Sequence, residues 1–294
     1  MNLETFRNLI PDFKHTGLIF LQGWGEPLMN PEFFEMARLA KEAGCEVGTT
    51  TNGTLVDEGA VAKMIDSGID IIAFSVAGAS INNDVLRKGT SFKDILNRID
   101  LINGYKEKLK KAKPKVNIAY LLLRGFEQEL PGILHQFKDK GINEIVITTL
   151  DFIASEDMLE LSVNQATKEE LGILLDLLDN IVKSGRQKGL SIYYQVPNSV
   201  RNAIWCSENV NRAMFISASG DVSPCVFTNL PVESATRYTN HYRREAGNLV
   251  FGNINDRSLT TIWRTKEYRR FRNSFFNKTP SPVCEDCPKL GMIN

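Results

Sequence analysis

Short apolar runs alternate with helix-spaced segments from Leu18 to Thr149, and this alternation confines the chain to an α/β fold built on a parallel sheet. The run Leu-Ile-Phe-Leu-Gln-Gly-Trp-Gly-Glu-Pro-Leu, from Leu18 to Leu28, leads the series. It is too short for a helix and bounded by glycine, which predicts a strand buried on both faces that passes into a turn carrying one carboxylate, Glu26. Ahead of it, residues 3–13 have a helical pattern with no strand before them. After it, Asn30 and Pro31 predict a helix start for the stripe Phe33, Met36, Ala37 and Ala40, and Gly44 a stop. Strands are predicted at Glu46 to Thr51, Ile69 to Val76, Lys115 to Leu122 and Glu144 to Thr149. Helices are predicted at Asp57 to Ser67, from Ser91 to about Lys111, and at Glu127 to Lys140.

Five strands separated by helices can curl into part of a barrel whose ligand lies at the strands' carboxyl ends. Asp151 to Ala166 lacks periodicity and reads equally as a lid or as a disordered linker. Thr167 and Glu170 form a capping box for a long helix to about Lys188, and Ser191 to Val196 is a further strand. The chain changes character after Pro197. A hairpin is expected from Met214 to Val226 around Gly220, and an arginine-rich helix from Leu259 to Phe275. The division is therefore 1–197, a barrel-type domain, and 198–294, a small α+β domain.

Lys plus Arg and Asp plus Glu balance at 35 each, so no global field draws nucleic acid or an anionic membrane. No stretch approaches the roughly 20 apolar residues of a membrane span, and no signal peptide opens the chain, so a cytoplasmic protein is expected. His15, His135 and His241 are scattered, which argues against a histidine-based triad. Glu156, Asp157 and Glu160 read as a solvated loop, and Arg264, Arg269, Arg270 and Arg272 as a face turned to water.

Cysteine usage is the most specific signal. Cys45 stands alone, as a small buried thiol would, while Cys206, Cys225, Cys284 and Cys287 gather after residue 205. A hairpin sulfur and a Cys-x-x-Cys turn can enclose zinc or an iron-sulfur cluster, and the donor chemistry leaves both open.

The spacing Gly220-x4-Cys225, with Leu259-x-x-Ile-Trp263 in the following helix, resembles the auxiliary-cluster domains called SPASM and twitch. The Gly25-Glu26-Pro27 turn at a strand end resembles that of radical S-adenosylmethionine (SAM) enzymes. Together with the strand-helix order, these motifs identify the chain as a member of that superfamily. The resemblance implies a partial (β/α)6-type parallel barrel without its first strand, followed by a SPASM/twitch-like domain. It implies one auxiliary 4Fe-4S cluster on Cys206, Cys225, Cys284 and Cys287, favoured over two because no cysteine follows Cys287. It also implies that Gly25, Glu26 and Pro27 hold the SAM amino group, that Asn52 stands at the next strand end, that Ser75 meets the ribose or carboxylate, and that Arg87 pairs with the carboxylate. On the residues alone, Asn52 equally favours a left-handed turn, Ser75 a backbone contact and Arg87 a solvated cap.

The hallmark Cys-x3-Cys-x2-Cys of that superfamily does not occur in the sequence, and Phe126 stands where many relatives carry asparagine. The SAM-cleaving 4Fe-4S cluster is expected only where the cysteine segment is restored. A fragment or a late start is favoured over a degenerate relative. The resemblance implies reductive cleavage of SAM to a 5'-deoxyadenosyl radical that abstracts hydrogen, in peptide modification or cofactor maturation, with a peptide or small-molecule substrate and a ferredoxin- or flavodoxin-like electron donor. The alternative is a non-catalytic binding protein with a structural iron-sulfur or zinc site.

Overall fold

The computed structural model describes residues 1–197, 205–233, 235–239, 242–285 and 287–291; His241 and the expected opening of the second domain, 198–204, lie outside them. Six strands form one sheet in chain order: β1 (Leu18–Phe20), β2 (Glu46–Thr51), β3 (Ile71–Val76), β4 (Lys115–Leu122), β5 (Glu144–Thr149) and β6 (Ser191–Gln195). Every adjacent pair is parallel. Parallel neighbours require crossovers, which α2 (Phe33–Glu42), α3 (Glu58–Asp66), α5 (Phe92–Lys108), α6 (Leu130–Phe137) and α7 (Lys168–Gln187) supply. Two short helices lie outside that set, α1 (Leu3–Arg7) and α4 (Asn82–Leu86). This is the expected α/β partial barrel, with the late strand β6 added beside β5.

The helix faces follow their apolar spacing. Phe33, Met36, Ala37 and Ala40 of α2 are buried, as are Phe92, Ile95, Ile99 and Ile102 of α5. Thr167 and Glu170 cap α7 reciprocally, as their spacing predicts. Among the described residues from 205 onward, β7 (Phe215–Ile216), β8 (Asp221–Ser223) and β11 (Gly252–Asn253) form a three-stranded antiparallel sheet, with β9 (Thr236–Thr239) and β10 (Tyr242–Glu245) as a separate antiparallel pair. Helices α8 (Leu259–Trp263) and α9 (Lys266–Phe276) pack beside them.

Four expectations need correction. The leading strand is short and lies at the sheet's edge: Leu18 is 47% exposed and Phe20 38%, because β2 is its one partner in the sheet. Residues 3–13 do not form one helix, since Pro11 opens a 3-10 turn, Ile10–His15, after α1 ends. Asn30 does not cap α2; its side chain accepts from Glu32 N and donates to Met1 O. The arginine-rich helix is split after α8, where Thr265 caps α9.

Lys41 of α2, Val47 of β2 and Lys113 ahead of β4 converge on one carboxylate, Asp70, just ahead of β3. It accepts from Lys41 Nζ at 2.7 Å, from Val47 N at 2.7 Å and from Lys113 Nζ, with its side chain 3% exposed. Burial opposes ionisation of this carboxyl, but the hydrogen bonds from Lys113, Lys41 and Val47 outweigh it and hold the group below its ordinary 3.8. Asp70→Ala should cost about 3 kcal/mol in urea unfolding at neutral pH, because it strands two lysines and a backbone N–H. A lowered native pKa gives stability that is present above 3.8 and lost as pH falls through the native value. The gap between wild type and variant should therefore narrow in acid; a constant gap down to low pH contradicts this role.

Candidate functional site

The strand tips supply the first half of the site. Gly25 adopts φ +98°, a conformation that other residues rarely take, and this lets the chain turn so that Glu26 meets the end of β2. The carboxylate is held by its neighbours. Oε1 accepts from Leu28 N at 3.2 Å and from Thr51 Oγ1 at 2.7 Å, and Oε2 accepts from Asn52 N at 2.7 Å. With about four acceptor positions on an ionised carboxylate, one remains. The Asn52 side chain is spent locally, since its Oδ1 accepts from both Thr54 N and Thr54 Oγ1. The left-handed residue of that turn is Gly53.

Arg87 ends α4, where its N–H donates to Asn83 O at 2.8 Å. Its guanidinium is not the solvated cap allowed by the sequence, because Nε is buried and lacks a partner. Burial lowers its pKa, and the Glu26 charge opposes that shift. Glu26 and Arg87 are thus within electrostatic reach of each other. Ser75 lies in β3, paired in register with Ala119 of β4, one residue before the strand ends.

The loop after β3 is fixed by a residue the sequence did not single out. Glu129 accepts from Ala79 N at 2.8 Å, from Ser80 Oγ at 3.1 Å and from Asn82 Nδ2. A Cβ on Gly78 would stand 2.9 Å from Glu129 Oε2, so the glycine is what permits this approach.

The tail supplies the second half. Cys206 bridges antiparallel to Leu290, Ser207 N donates to Lys289 O at 3.1 Å, and Gly291 N donates to Trp205 O at 2.9 Å. This pairing folds the Cys284-x-x-Cys287 turn back towards Cys206. Cys225 follows β8, and all four cysteines line one cavity with Val210, Phe271 and Phe275. Burial pushes the thiols up, Cys225 to about 11 and Cys284 to about 12, with Cys287's charge adding to both; Cys206 and Cys287 also rise. Among the described residues no three of His, Cys, Asp and Glu close around a single ion. Cys45 is elsewhere, 1% exposed, with its sulfur 3.6 Å from Phe13 O and from Thr16 O.

Trp24 and Lys289 are among the side chains that join the halves. Trp24, inside the Gly-Trp-Gly-Glu-Pro turn, donates from Nε1 to Val226 O at 3.3 Å and Asn229 O at 3.2 Å, in the segment after Cys225. Its ring meets Phe152 and Phe227 edge-on. Lys289, 5% exposed, pairs with Asp151 at 2.6 Å and Glu208 at 3.5 Å. Burial raises the Asp151 carboxyl despite that lysine, and the two carboxylates keep Lys289 above its ordinary value against burial. The 151–166 stretch is thus packed rather than a loose linker: Ile153 is buried and its carbonyl accepts from Tyr238 N. Glu156, Asp157 and Glu160 are exposed, as expected, whereas Arg272 is not turned to water; it lies 3.6 Å from the Trp263 ring centre. A cavity of about 1570 Å³ opens between β1's edge, the Trp24 turn and the tail.

Fold and paired sites define a barrel enzyme class with a cysteine-rich appendage. Residues 1–134 match the radical SAM superfamily and residues 206–288 match SPASM, an iron-sulfur cluster-binding domain. The chain belongs to the radical SAM superfamily and carries a SPASM domain; this class uses SAM and 4Fe-4S clusters.

One relative is the tungsten-containing aldehyde ferredoxin oxidoreductase cofactor-modifying protein of Pyrococcus furiosus, 23% identical over 98% of this chain and 79% of that protein. Another is the PqqA peptide cyclase of Xanthomonas campestris pv. campestris, 23% identical over 98% and 71%. Among solved structures, native anSMEcpe with bound AdoMet shares the fold with a TM-score of 0.67 at 17% identity, over 99% of this chain and 80% of that one. Streptococcus suis SuiB bound to S-adenosylmethionine does so with a TM-score of 0.65 at 13% identity, over 92% and 61%.

Trp24→Phe should lower the urea midpoint of unfolding, by about 1–2 kcal/mol, because two carbonyls lose their donor while the ring contacts survive. An unchanged midpoint would show that the Trp24 bridge contributes nothing.

Proposed function

We propose that this chain forms the SAM-binding and auxiliary-cluster portion of a radical SAM enzyme that modifies a peptide or matures a cofactor. The observation that carries the reading is the Arg87 Nε–H, buried and without an acceptor among the described residues, on a side chain within electrostatic reach of Glu26 at the strand tips. A bound amino acid moiety satisfies both at once. Its ammonium takes the remaining acceptor position of Glu26 and the nearby Gly25 carbonyl, with Pro27 fixing the turn, and its carboxylate takes the guanidinium fork. Asn52 follows β2 and Ser75 lies one residue before the end of β3, where Ser75 would meet the ribose or carboxylate of the ligand. Phe126 offers an apolar face where an asparagine would offer hydrogen bonds.

Cys206, Cys225, Cys284 and Cys287 fit a 4Fe-4S centre, since four thiolates lining one cavity are the donor set such a cluster takes. Such a centre, with all four irons held by thiolates, would supply an electron acceptor. The residues present do not fit the second cluster, the one that splits SAM: Cys45 is sealed in the core and no three-cysteine motif occurs among the 294 residues. A SAM-binding protein without radical chemistry is the second reading, favoured by the same missing motif.

The substrate class rests on relatives that act on peptides or modify cofactors, and an electron donor of the ferredoxin or flavodoxin type suits the auxiliary centre. Among the described residues no helix is long and apolar enough to cross a membrane, and the balanced charge gives nucleic acid no broad basic field; a cytoplasmic setting accords with the thiol-rich site.

Arg87→Gln should raise the SAM dissociation constant at least tenfold, about 1.4 kcal/mol, in equilibrium dialysis, with the melting temperature held. Unaltered SAM affinity sinks the assignment. After anaerobic reconstitution the chain should hold four irons and four sulfides and absorb as a brown iron-sulfur protein, and Cys225→Ala should lose most of that iron. Zinc in its place would refute the cluster. Deoxyadenosine formed from SAM by this chain alone would refute the statement that its residues do not hold the SAM-cleaving centre.

A further inference from the structure

Arg237 of β9 lines the same cavity as the four cysteines and is unlike every other cation near it. Lys289 is matched by Asp151 and Glu208. Among the described residues Arg237 has no carboxylate partner. Its Nη2 donates to Val283 O at 3.0 Å, the carbonyl of the residue just before Cys284, which fixes the guanidinium plane against the Cys-x-x-Cys turn. Its Nε–H is buried and has no acceptor. Its charge acts on two of the thiols, opposing the rise that burial causes in Cys284 and Cys287.

A buried N–H without an acceptor is costly, so a donor left in that state at a cavity wall is complete when something in the cavity accepts from it. A cluster held by four thiolates is anionic, and its sulfides accept hydrogen bonds. Its net negative charge increases by one on reduction. A fixed, permanently charged guanidinium therefore stabilises the reduced form more than the oxidised one, and cluster potentials depend on such charge and hydrogen bonding at the sulfurs.

Resting on the auxiliary-cluster reading above, we propose that Arg237 is a positioning and potential-setting residue. Its Nε donates to a cluster sulfur, its Nη2 orients the Cys284–Cys287 turn, and its charge raises the reduction potential, so that the centre accepts an electron more readily.

The test is an EPR-monitored redox titration of the anaerobically reconstituted full chain, with iron and sulfide counted in each sample. Arg237→Gln removes the charge and should keep four irons while shifting the one-electron reduction equilibrium at least tenfold towards the oxidised cluster, a fall of 59 mV or more. A Gln midpoint less than tenfold from wild type, at full iron content, overturns the proposal. If the Gln protein loses its cluster, Arg237→Lys decides. Full iron with a midpoint within tenfold of wild type supports the charge role, whereas iron loss there too, or a midpoint displaced beyond that despite the retained charge, overturns it. Wild-type protein without iron-sulfur absorbance overturns the cluster reading itself and this proposal with it, a result distinct from a normal cluster indifferent to residue 237.

Discussion

Parallel pairing in simple chain order is the constraint on which the rest depends. Because β1 to β6 all run the same way, their carboxyl ends lie on one side of the sheet, and residues distant in sequence are delivered there without further instruction. Glu26 follows β1, Asn52 follows β2, Ser75 ends β3 and Arg87 closes the helix after it. The register fixes their relative heights: one residue of slippage between β1 and β2 would take Glu26 away from Thr51 Oγ1 and Asn52 N. Asp70 guards that register by binding α2, β2 and the entrance of β4 with a single buried carboxylate.

The tail is joined to this mouth by polar contacts made at specific points. Trp24 reaches from the glutamate turn to two carbonyls behind Cys225, so the turn proposed to hold SAM and the strand end bearing a thiol share one side chain. Asp12 performs a similar task on the other flank, accepting from Leu259 N and Thr260 Oγ1 at the start of α8, where a negative charge suits the exposed N–H groups. Lys289, next to the cysteine turn, is neutralised by Asp151 beyond β5. The Trp24 and Lys289 bridges each sit within a few residues of a candidate ligand.

Buried charge also separates scaffold from site. Asp70, Glu129 and Lys289 find protein partners for their charge and serve structure. Arg87, Arg98 and Arg237 each keep a buried Nε–H without an acceptor among the described residues; Arg87 and Arg237 also stand beside a place where chemistry argues for an anionic group. The contrast within one molecule is more informative than the presence of arginine alone.

The sequence by itself determined the order of strands and helices, the reach of β2, β4 and β5, the capping box of α7, the separateness of Cys45 and the four-cysteine tail. These depend on local periodicity, caps and spacing, which neighbouring residues settle among themselves. Tertiary structure alone decided that β1 is a short, half-exposed edge, that Pro11 and Thr265 interrupt expected helices, and that Arg272 stacks on Trp263 instead of facing water. It alone singled out Trp24, Glu129, Asp151 and Arg237, whose partners lie tens to hundreds of residues away. No local pattern encodes such partners, because whether a polar group is satisfied depends on which surfaces the fold brings together and on how much water it leaves between them.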